Sequence, residues 1–301
     1  MVTIINFDKQ NYKPGETVLV TFHCSKPYPE NLRKIELYVH SGEITKVTYT
    51  SGGGNSSSRS TAVEETIYNE VSEIIHVDET TSDINIELMY ELPKENISPI
   101  GSIDEIEVYH RARIKYDISR GRDKHLKKDI PYQIVPEFNN QRRTIQNEKL
   151  VAESSHSICF LDDEINLHLS PIETINCRGY RIEFVRKQFT EAQRHTANTQ
   201  KKILLASLKE IHEFPVTVKI PDLHYASALG TNYSINYFLK IVIDKGLAKD
   251  INVEIPIIYY PKQKEHYSKK PNYDNEVLIC SKCSEKQETD SMFCMNCGFK
   301  L

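Results

Sequence analysis

The sequence predicts an all-β protein, in which two tandem antiparallel β-sandwich domains are followed by a small cysteine-rich module. Three observations support this fold class. Short segments alternate between apolar and polar residues, an ordered set of such segments occurs twice, and two Cys-x-x-Cys motifs stand near the C-terminal end. With 301 residues, the chain is long enough for two domains that each bury a hydrophobic core.

The first clear strand follows a turn at residues 13–16. Pro14 fixes its backbone φ and Gly15 accepts a positive φ, which suits a tight turn. The residues after the turn alternate, with apolar side chains at Val18, Val20, Phe22 and Cys24. This alternation predicts a strand that buries one face against a core.

The same strand pattern returns in the second half of the chain. Ile165, Leu167 and Leu169 repeat the spacing of the first strand, again directly after a turn. Four further segments match in the same order, namely residues 34–37 with 181–184, 90–93 with 218–221, 106–114 with 235–243, and 127–135 with 248–256. Five matches in one order predict a duplicated β architecture, with longer loops in the first copy.

The repeat sets the expected domain boundaries. We expect the first sandwich at residues 1–138 and the second at residues 148–261. Residues 262–275 are polar and rich in lysine without apolar periodicity, which is typical of a flexible linker. The cysteine-rich module then occupies residues 276–301.

Two segments have patterns that are compatible with a helix. Residues 61–77 have helix-friendly glutamate spacing, but their valine, isoleucine and threonine content makes a β-hairpin equally consistent. Residues 203–214 are the strongest helix candidate in the chain.

Composition and charge exclude several classes of protein. The N-terminal residues lack a cationic stretch before a long apolar run, and no window approaches the roughly 18 apolar residues of a membrane span. The net charge of −4 does not indicate a nucleic-acid-binding protein. Four of the seven cysteines form Cys-x-x-Cys pairs, which is typical of metal sites and predicts a reducing, cytoplasmic location.

The C-terminal module carries the strongest chemical signal in the sequence. Its two motifs provide four thiolates, at Cys280, Cys283, Cys294 and Cys297. Zn²⁺ favours four soft thiolates in a tetrahedron, and each Cys-x-x-Cys turn directs two sulfurs to one ion. Because all four positions are filled, we expect one structural Zn²⁺ in a zinc ribbon. A redox Cys-x-x-Cys motif or a pair of disulfides is the alternative.

The charge of this module disfavours contact with nucleic acid. Between residues 276 and 301, three lysines stand against four carboxylates. A module that reads phosphates should be distinctly basic. Contact with protein, through apolar residues such as Phe293 and Phe299, is the favoured interpretation.

A basic stretch lies in the first predicted domain. Its cations are Arg111, Arg113, Lys115, Arg120, Arg122, Lys124, Lys127 and Lys128. Such a surface fits anionic lipid headgroups, or a phosphate or acidic tail on a protein partner. The alternative is a solvated sheet face, which is the usual explanation of a charge run.

An ordered set of segments is similar to the arrestin fold, most closely to the α-arrestins and to the retromer subunit of the same architecture. The segments are INFDKQNYKPGETVLV, KIELYV, VTYTSGGGNSSS, EETIYNE, YELP and IEVYHRARIKYDI in the first half, and VTVKIPDLHYAS, SINYFLKIVID and INVEIPIIYY in the second. The resemblance implies two sandwiches side by side and a role in binding partners rather than in catalysis. The chain has no PPxY motif, so the ubiquitin-ligase role of α-arrestins is not implied.

Catalytic motifs are absent from the sequence. It contains no GxSxG, HExxH or Rossmann fingerprint, and its eleven histidines form no pair at ligand spacing on a recognisable helix. Together with the resemblance, this predicts a non-enzymatic adaptor or scaffold for membrane-protein tails or trafficking machinery, with peripheral contact to an anionic membrane. The alternatives are a nucleic-acid-associated zinc-ribbon protein and a hydrolase with a cleft between the sandwiches.

Overall fold

The computed structural model describes residues 3–28, 31–51, 58–78, 80–94, 105–119, 124–132, 140–246, 248–262, 278–279 and 286–287. Within these residues the protein is all-β, as predicted, and its only helical element is a 3₁₀ helix at Ile211–Glu213. The chain divides into two compact units, Met1–Gln263 and Lys264–Leu301.

The N-terminal half of the first unit contains seven strands within the described residues. They are β1 (Thr3–Phe7), β2 (Thr17–Cys24), β3 (Leu32–Ser51), β4 (Ser58–His76), β5 (Ile84–Glu91), β6 (Ile106–Ile118) and β7 (Lys124–Asp129). These strands form two antiparallel sheets, in the orders β1-β2-β5 and β4-β3-β6-β7. Both sheets contribute to one hydrophobic core, which includes Val18, Phe22, Leu37 and Ile114.

The C-terminal half of the first unit also has two sheets that share a core, and they are antiparallel except for one parallel strand pair. Its strands are β8 (Arg143–Gln146), β9 (Leu150–Ser154), β10 (Ile158–Phe160), β11 (Glu164–Pro171), β12 (Gly179–Ala192), β13 (His195–Leu208), β14 (Val216–Lys219), β15 (Ala228–Leu229), β16 (Tyr233–Asp244) and β17 (Ile251–Tyr260). One sheet has the order β14-β11-β9-β8, and the other has the order β10-β17-β16-β12-β13, with β15 also on β16. Their shared core includes Ile165, Leu167, Phe184 and Leu239.

The two halves share a strand order. The path β5-β2-β1 corresponds to β14-β11-β9, and the path β4-β3-β6-β7 corresponds to β13-β12-β16-β17. The strand registers agree at the first of these pairs, because Val18 lies opposite Tyr90 and Ile165 lies opposite Val218. These are the residues that the sequence repeat aligns. The expected domain boundary after residue 138 lies partly outside the described residues and stays a prediction.

The prediction of a helix at residues 203–214 is wrong over most of that range. The chain up to Leu208 continues strand β13, which pairs with β12. The side chains alternate as in a strand, because Ile203 and Leu205 pack on the core while Leu204 is 58% exposed. Pairing with a long neighbouring strand therefore outweighs the local helix preference.

Strands β3 and β4 form a hairpin of 20 and 19 residues, longer than the short strands that the sequence pattern predicts. Residues 61–77, for which the sequence leaves helix and hairpin open, lie almost entirely in β4. The core-facing row of β3 begins with Ile35, Leu37 and Val39. Farther along, β3 also contacts β12 and β13, so this hairpin reaches from the N-terminal core to the C-terminal half.

In the second unit the described residues form one short antiparallel pair, β18 (Leu278–Ile279) with β19 (Lys286–Gln287). In the sequence, Cys280 and Cys283 stand between these two strands. The four predicted zinc ligands themselves lie outside the described residues, so the zinc ribbon at residues 276–301 stays a prediction.

Candidate functional site

The two halves of the first unit meet around a fully buried carboxylate, that of Glu43 on β3. This carboxylate accepts hydrogen bonds from the backbone N–H groups of Thr231 (3.1 Å) and Asn232 (2.6 Å), in the turn before β16. The hydroxyl of Tyr68 on β4 donates to the same carboxylate. Three donors thus offset the unfavourable burial of a carboxyl group and tie the turn to the N-terminal half.

Gly230 allows this turn to approach Glu43. A Cβ at position 230 would overlap the ring of Tyr233 and the Glu43 carboxylate, so a larger residue would push the turn away. The turn is held at a second point, where Nδ2 of Asn232 donates to Oγ1 of Thr66 at 2.8 Å. The junction therefore depends on a glycine that sequence reasoning did not single out.

Burial and the hydrogen bond to Glu43 raise the pKa of Tyr68 well above its ordinary value. Its hydroxyl therefore keeps its proton at neutral pH and remains a donor to the carboxylate. Burial also raises the pKa of Tyr233, whose hydroxyl has no hydrogen-bond partner among the described residues. The junction is thus a polar cluster in a largely apolar surrounding.

A second contact between the halves lies where the two long hairpins meet. The ring of Tyr49 on β3 stacks on that of His195 on β13, with centroids 3.7 Å apart. The backbone N–H of Gln193 donates to the Glu64 carboxylate at 2.6 Å, and its side chain donates to the Val63 carbonyl at 2.8 Å. The apolar part of this contact consists of Val47, Ala62 and Ala192.

Strand β6 takes part in both cores. Ala112, Ile114 and Tyr116 belong to the core of the N-terminal half. Ile106 and Val108, at the start of the same strand, belong to the core of the C-terminal half. The strand therefore crosses the junction between the two halves.

A cleft of about 520 Å³ opens beside the junction. Its lining includes Tyr68, Asn69, Glu91, Lys94 and Leu229. Glu91 and Lys94 form an exposed ion pair with 3.0 Å between the charged atoms. The described lining contains no serine, cysteine or histidine.

Sequence reasoning missed a buried serine–histidine pair. Oγ of Ser41 lies 2.6 Å from Nδ1 of His110, and the hydroxyl of Tyr90 donates to the same Oγ at 2.6 Å. All three side chains are buried, so a substrate has no access to the serine. Burial lowers the pKa of His110 to about 4, which keeps the ring neutral at pH 7. The available signal was the spacing, because Ser41 follows Leu37 and Val39 at core-facing positions.

Arg111 of the predicted basic stretch forms its ion pairs within its own sheet. Arg111 forms ion pairs with Glu107 (2.9 Å) and Asp129 (3.3 Å). Its guanidinium carbon lies 3.9 Å from the ring centroid of Tyr109. With a side chain only 12% exposed, Arg111 is not available to a partner.

Three other cations of this stretch also have partners in the N-terminal half. Arg113 is hydrogen-bonded to Nδ1 of His125 at 2.9 Å. Lys115 forms an ion pair with Glu36 at 3.5 Å. Lys128 donates to a carbonyl of β1 at 2.9 Å. These contacts stabilise the outer face and the edge of the sheet.

Lys124 and Lys127 are exposed on the edge strand β7, and neither forms an ion pair with another described residue. Arg120 and Arg122 lie outside the described residues. The use of this basic stretch as a binding surface stays a prediction, and its exposed described cations without an ion pair are on one strand. That strand is β7 rather than β6.

The predicted zinc ligands, Cys280, Cys283, Cys294 and Cys297, are outside the described residues. Within the described part of the chain, no group of three or more histidine, cysteine or acidic side chains could hold a metal ion. Cys24 and Cys159 are free, buried thiols, and Cys177 is a half-buried one. Burial raises the pKa of Cys159, which makes its thiol unreactive.

Across the described ranges, none of the helical structure is long and apolar enough to span a membrane. Neither a scan of the chain against models of known protein families nor a search of curated proteins finds a match. The residues and their geometry are therefore the basis for a functional assignment.

Proposed function

We propose that the protein is a non-enzymatic, arrestin-like adaptor or scaffold that binds protein partners in the cytoplasm, at the face of a membrane. The observation that carries this proposal is the strand order that both halves share, in two sheet pairs joined at a buried junction. Antiparallel sheets of this kind bind extended peptides at their edges, by adding a strand. The described lining of the cleft, which contains no serine, cysteine or histidine, fits a binding role better than a catalytic one.

The cleft beside the junction is the candidate site for a peptide segment. It combines an exposed ion pair, Glu91 with Lys94, and an apolar side chain, Leu229, which is 67% exposed. Such a combination suits a segment that has one apolar anchor between charged residues. A cytoplasmic tail of a membrane protein would supply a segment of this type.

Peripheral contact with an anionic membrane would use β7. Lys124 and Lys127 are exposed there, and each lysine near an anionic surface contributes about 1 kcal/mol to binding. Two lysines give weak attraction, which suits a protein that also needs a membrane-bound partner for stable recruitment.

The C-terminal module would be a zinc ribbon in which Cys280, Cys283, Cys294 and Cys297 hold one structural Zn²⁺. The donor set fits, because four thiolates fill the coordination sphere and leave no position for a substrate. The short β18–β19 pair is consistent with this proposal, since it encloses the first Cys-x-x-Cys motif in the sequence. A module of this size needs the metal in order to fold.

Proximity labelling in the native cell tests the adaptor function. The full chain fused to a labelling enzyme should enrich membrane-protein tails or trafficking proteins over the labelling enzyme alone. Equal labelling by both would contradict the proposal. Flotation with anionic and neutral vesicles tests membrane contact, with Lys124→Glu/Lys127→Glu as the variant and Lys201→Glu/Lys202→Glu as its matched exposed control.

The two alternative functions gain no support from the described residues. A nucleic-acid-associated protein is disfavoured by the net charge of −4 and by the excess of carboxylates in the ribbon. A steep decrease of nucleic-acid affinity with salt in gel-shift assays would reverse that judgement. A hydrolase is disfavoured by the described lining of the cleft.

A further inference from the structure

The sheet β4-β3-β6-β7 has edges of opposite charge. In the described part of the chain, β7 pairs only with β6 and β4 pairs only with β3. The β7 segment KHLKKD is exposed at all six positions and carries Lys124, Lys127 and Lys128. The end of β4 at residues 70–76, EVSEIIH, carries Glu70 and Glu73, both exposed. Unpaired strand edges of this kind readily accept another strand.

The two charged segments lie at the same level of the sheet. Lys127 is opposite Arg113, and Arg113 is in turn opposite Tyr38. Tyr38 is opposite Ser72, which lies in the middle of the β4 segment. Since the three neighbouring pairs are all antiparallel, β4 and β7 run in opposite directions. A second copy placed beside the first in the same orientation would therefore bring its β4 antiparallel to β7.

The free backbone groups of each edge can be identified. The N–H of Val77 donates to the Arg33 carbonyl at 2.9 Å. The backbone N–H and C=O groups of the odd-numbered residues in the β4 segment are therefore directed to β3. The backbone N–H and C=O groups of residues 70, 72 and 74 are therefore directed away from β3, at the edge of the sheet. The N–H of Ile130 donates to the His110 carbonyl at 2.8 Å, so the even-numbered residues of β7 point to β6. His125 and Lys127 point outward.

One register satisfies backbone pairing, side-chain faces and charge together. It places Lys127 opposite Glu70 and His125 opposite Ser72, which joins outward-pointing residues on both strands. In the same register Lys124 lies opposite Glu73, and Leu126 lies opposite Val71. Lys127 and Glu70 both lie on the outer face of the sheet. Lys127 is in the same cross-strand row as Tyr38, and Glu70 is directly opposite His40, and these two residues of β3 alternate with its core-facing ones. Lys124 and Glu73 share the other face.

We propose that β7 of one copy pairs with residues 70–76 of β4 in a second copy, which forms a head-to-tail assembly through one continuous antiparallel sheet. Pairing β7 with another β7 would place lysines opposite lysines, and pairing β4 with β4 would bring glutamates together. Only the head-to-tail arrangement matches opposite charges. Such a heterologous contact closes into a ring or extends into an open chain.

Among the described residues, the contact of β4 with the C-terminal half lies away from residues 70–76. The Val63 carbonyl, nearer the start of β4, already accepts a hydrogen bond from Gln193 of the C-terminal half. The segment at residues 70–76 lies beyond that point, and Leu126 on β7 is 39% exposed and would be covered by pairing. The assembly does not depend on the adaptor function, but it uses the same β7 lysines as the proposed membrane contact, so the two interactions would exclude each other at one β7 strand.

Sedimentation velocity of the full chain over a range of concentrations tests the proposal. The wild type should associate reversibly. Lys124→Glu/Lys127→Glu and Glu70→Lys/Glu73→Lys should each associate at least about tenfold more weakly, because like charges then face each other across the contact. A 1:1 mixture of the two variants should regain association, since each β7 then meets a β4 of opposite charge. Lys201→Glu/Lys202→Glu, on the exposed part of β13, should behave as the wild type.

The mixture separates the proposal from misfolding, because only folded variants can restore association. Ser72→Pro removes one outward N–H without a change in charge and should also weaken association. The proposal is overturned if the wild type stays monomeric up to its solubility limit. It is equally overturned if the charge variants associate as the wild type does, as they would for assembly through the C-terminal module, or if their mixture gains nothing.

Discussion

The Glu43 carboxylate joins the two halves through main-chain donors of a turn rather than through a cationic partner. Its acceptor oxygens are satisfied by the N–H groups of Thr231 and Asn232 and by the Tyr68 hydroxyl. The link therefore depends on the shape of the turn, which Gly230 permits. Removing the acceptor would leave these three donors, two of them in partly buried residues, without this partner.

Glu43→Ala should lower the free energy of unfolding by about 1–3 kcal/mol, because three donors at the junction lose their shared acceptor. Chemical denaturation followed by circular dichroism measures the change. Glu87→Ala, at an exposed position of β5, is the matched control and should change stability by less than about 0.5 kcal/mol. Equal effects from the two substitutions would refute the role of Glu43.

The buried His110 should make stability depend on pH. Burial lowers its pKa from 6.5 to about 4 in the folded protein, whereas in the unfolded chain the ring binds a proton below about pH 6.5. The unfolded state therefore gains stability as the pH falls from 6.5 towards 4, and folding loses up to about 3 kcal/mol from this group.

Thermal melts between about pH 7 and pH 4.5 measure this loss, in a range above the acid titration of most carboxylates. His110→Asn should show a smaller decrease of melting temperature over the range than the wild type. His168→Asn, at an exposed position, should follow the wild type. A wild-type slope that is unchanged in His110→Asn would contradict this assignment.

At this scale, alternation predicts the apolar core and leaves out the buried polar residues. Val18 and Phe22 are fully buried, as their spacing indicates. Ser41 and Glu43 occupy the same core-facing row of β3 and are also fully buried, although their polarity suggests exposure. A polar residue at a core-facing position was the signal, but its partners come from distant segments that the local pattern does not identify.

At the scale of elements, strand order follows from the sequence repeat. Aligned segments occupy equivalent places, as β2 beside β5 and β11 beside β14. Strand β13 is the exception, since its local residues favour a helix while its long pairing with β12 makes it a strand. The length of β3 and β4 could not be predicted either, because a strand continues for as long as an adjacent strand pairs with its backbone.

Leu167→Ala should destabilise the protein by about 2–5 kcal/mol, because it opens a cavity in the core of the C-terminal half. Leu204→Ala makes the same chemical change at a side chain that is 58% exposed and should have little effect. Denaturant midpoints of the two variants provide the comparison. A larger effect from Leu204→Ala would mean that β13 packs through its other face.

At the scale of the whole molecule, the two units should differ in what holds them together. The first has two large apolar cores, whereas the second is too short to bury a sizeable one. The second unit should therefore depend on metal, and the first should not.

Metal analysis of the purified chain should find about one Zn²⁺ per molecule, and Cys280→Ala/Cys283→Ala should lose it. Cys24→Ala, a substitution of a buried thiol in the first unit, is the control and should retain the metal. Zinc that survives the double substitution would exclude the predicted site. Treatment with a chelator should leave the main melting transition of the first unit in place.

The junction of the two halves could not be predicted from the sequence. Glu43 and Asn232 lie 189 residues apart, and neither belongs to a motif that implies the other. The presence of two similar halves can be predicted from the sequence, because it follows from the apolar–polar alternation within segments and from the order of those segments. Their mutual orientation depends on contacts that exist only after both have folded.

Strand β6 limits how the two halves can be separated or exchanged. It places Ile106 and Val108 in the C-terminal core, although in the sequence they precede the expected boundary. A fragment that ends at residue 138 would present these side chains to water, and a fragment that starts at residue 148 would lack part of its own interior. Neither half is therefore expected to fold as an independent fragment, and replacing one half would disturb the interior of the other.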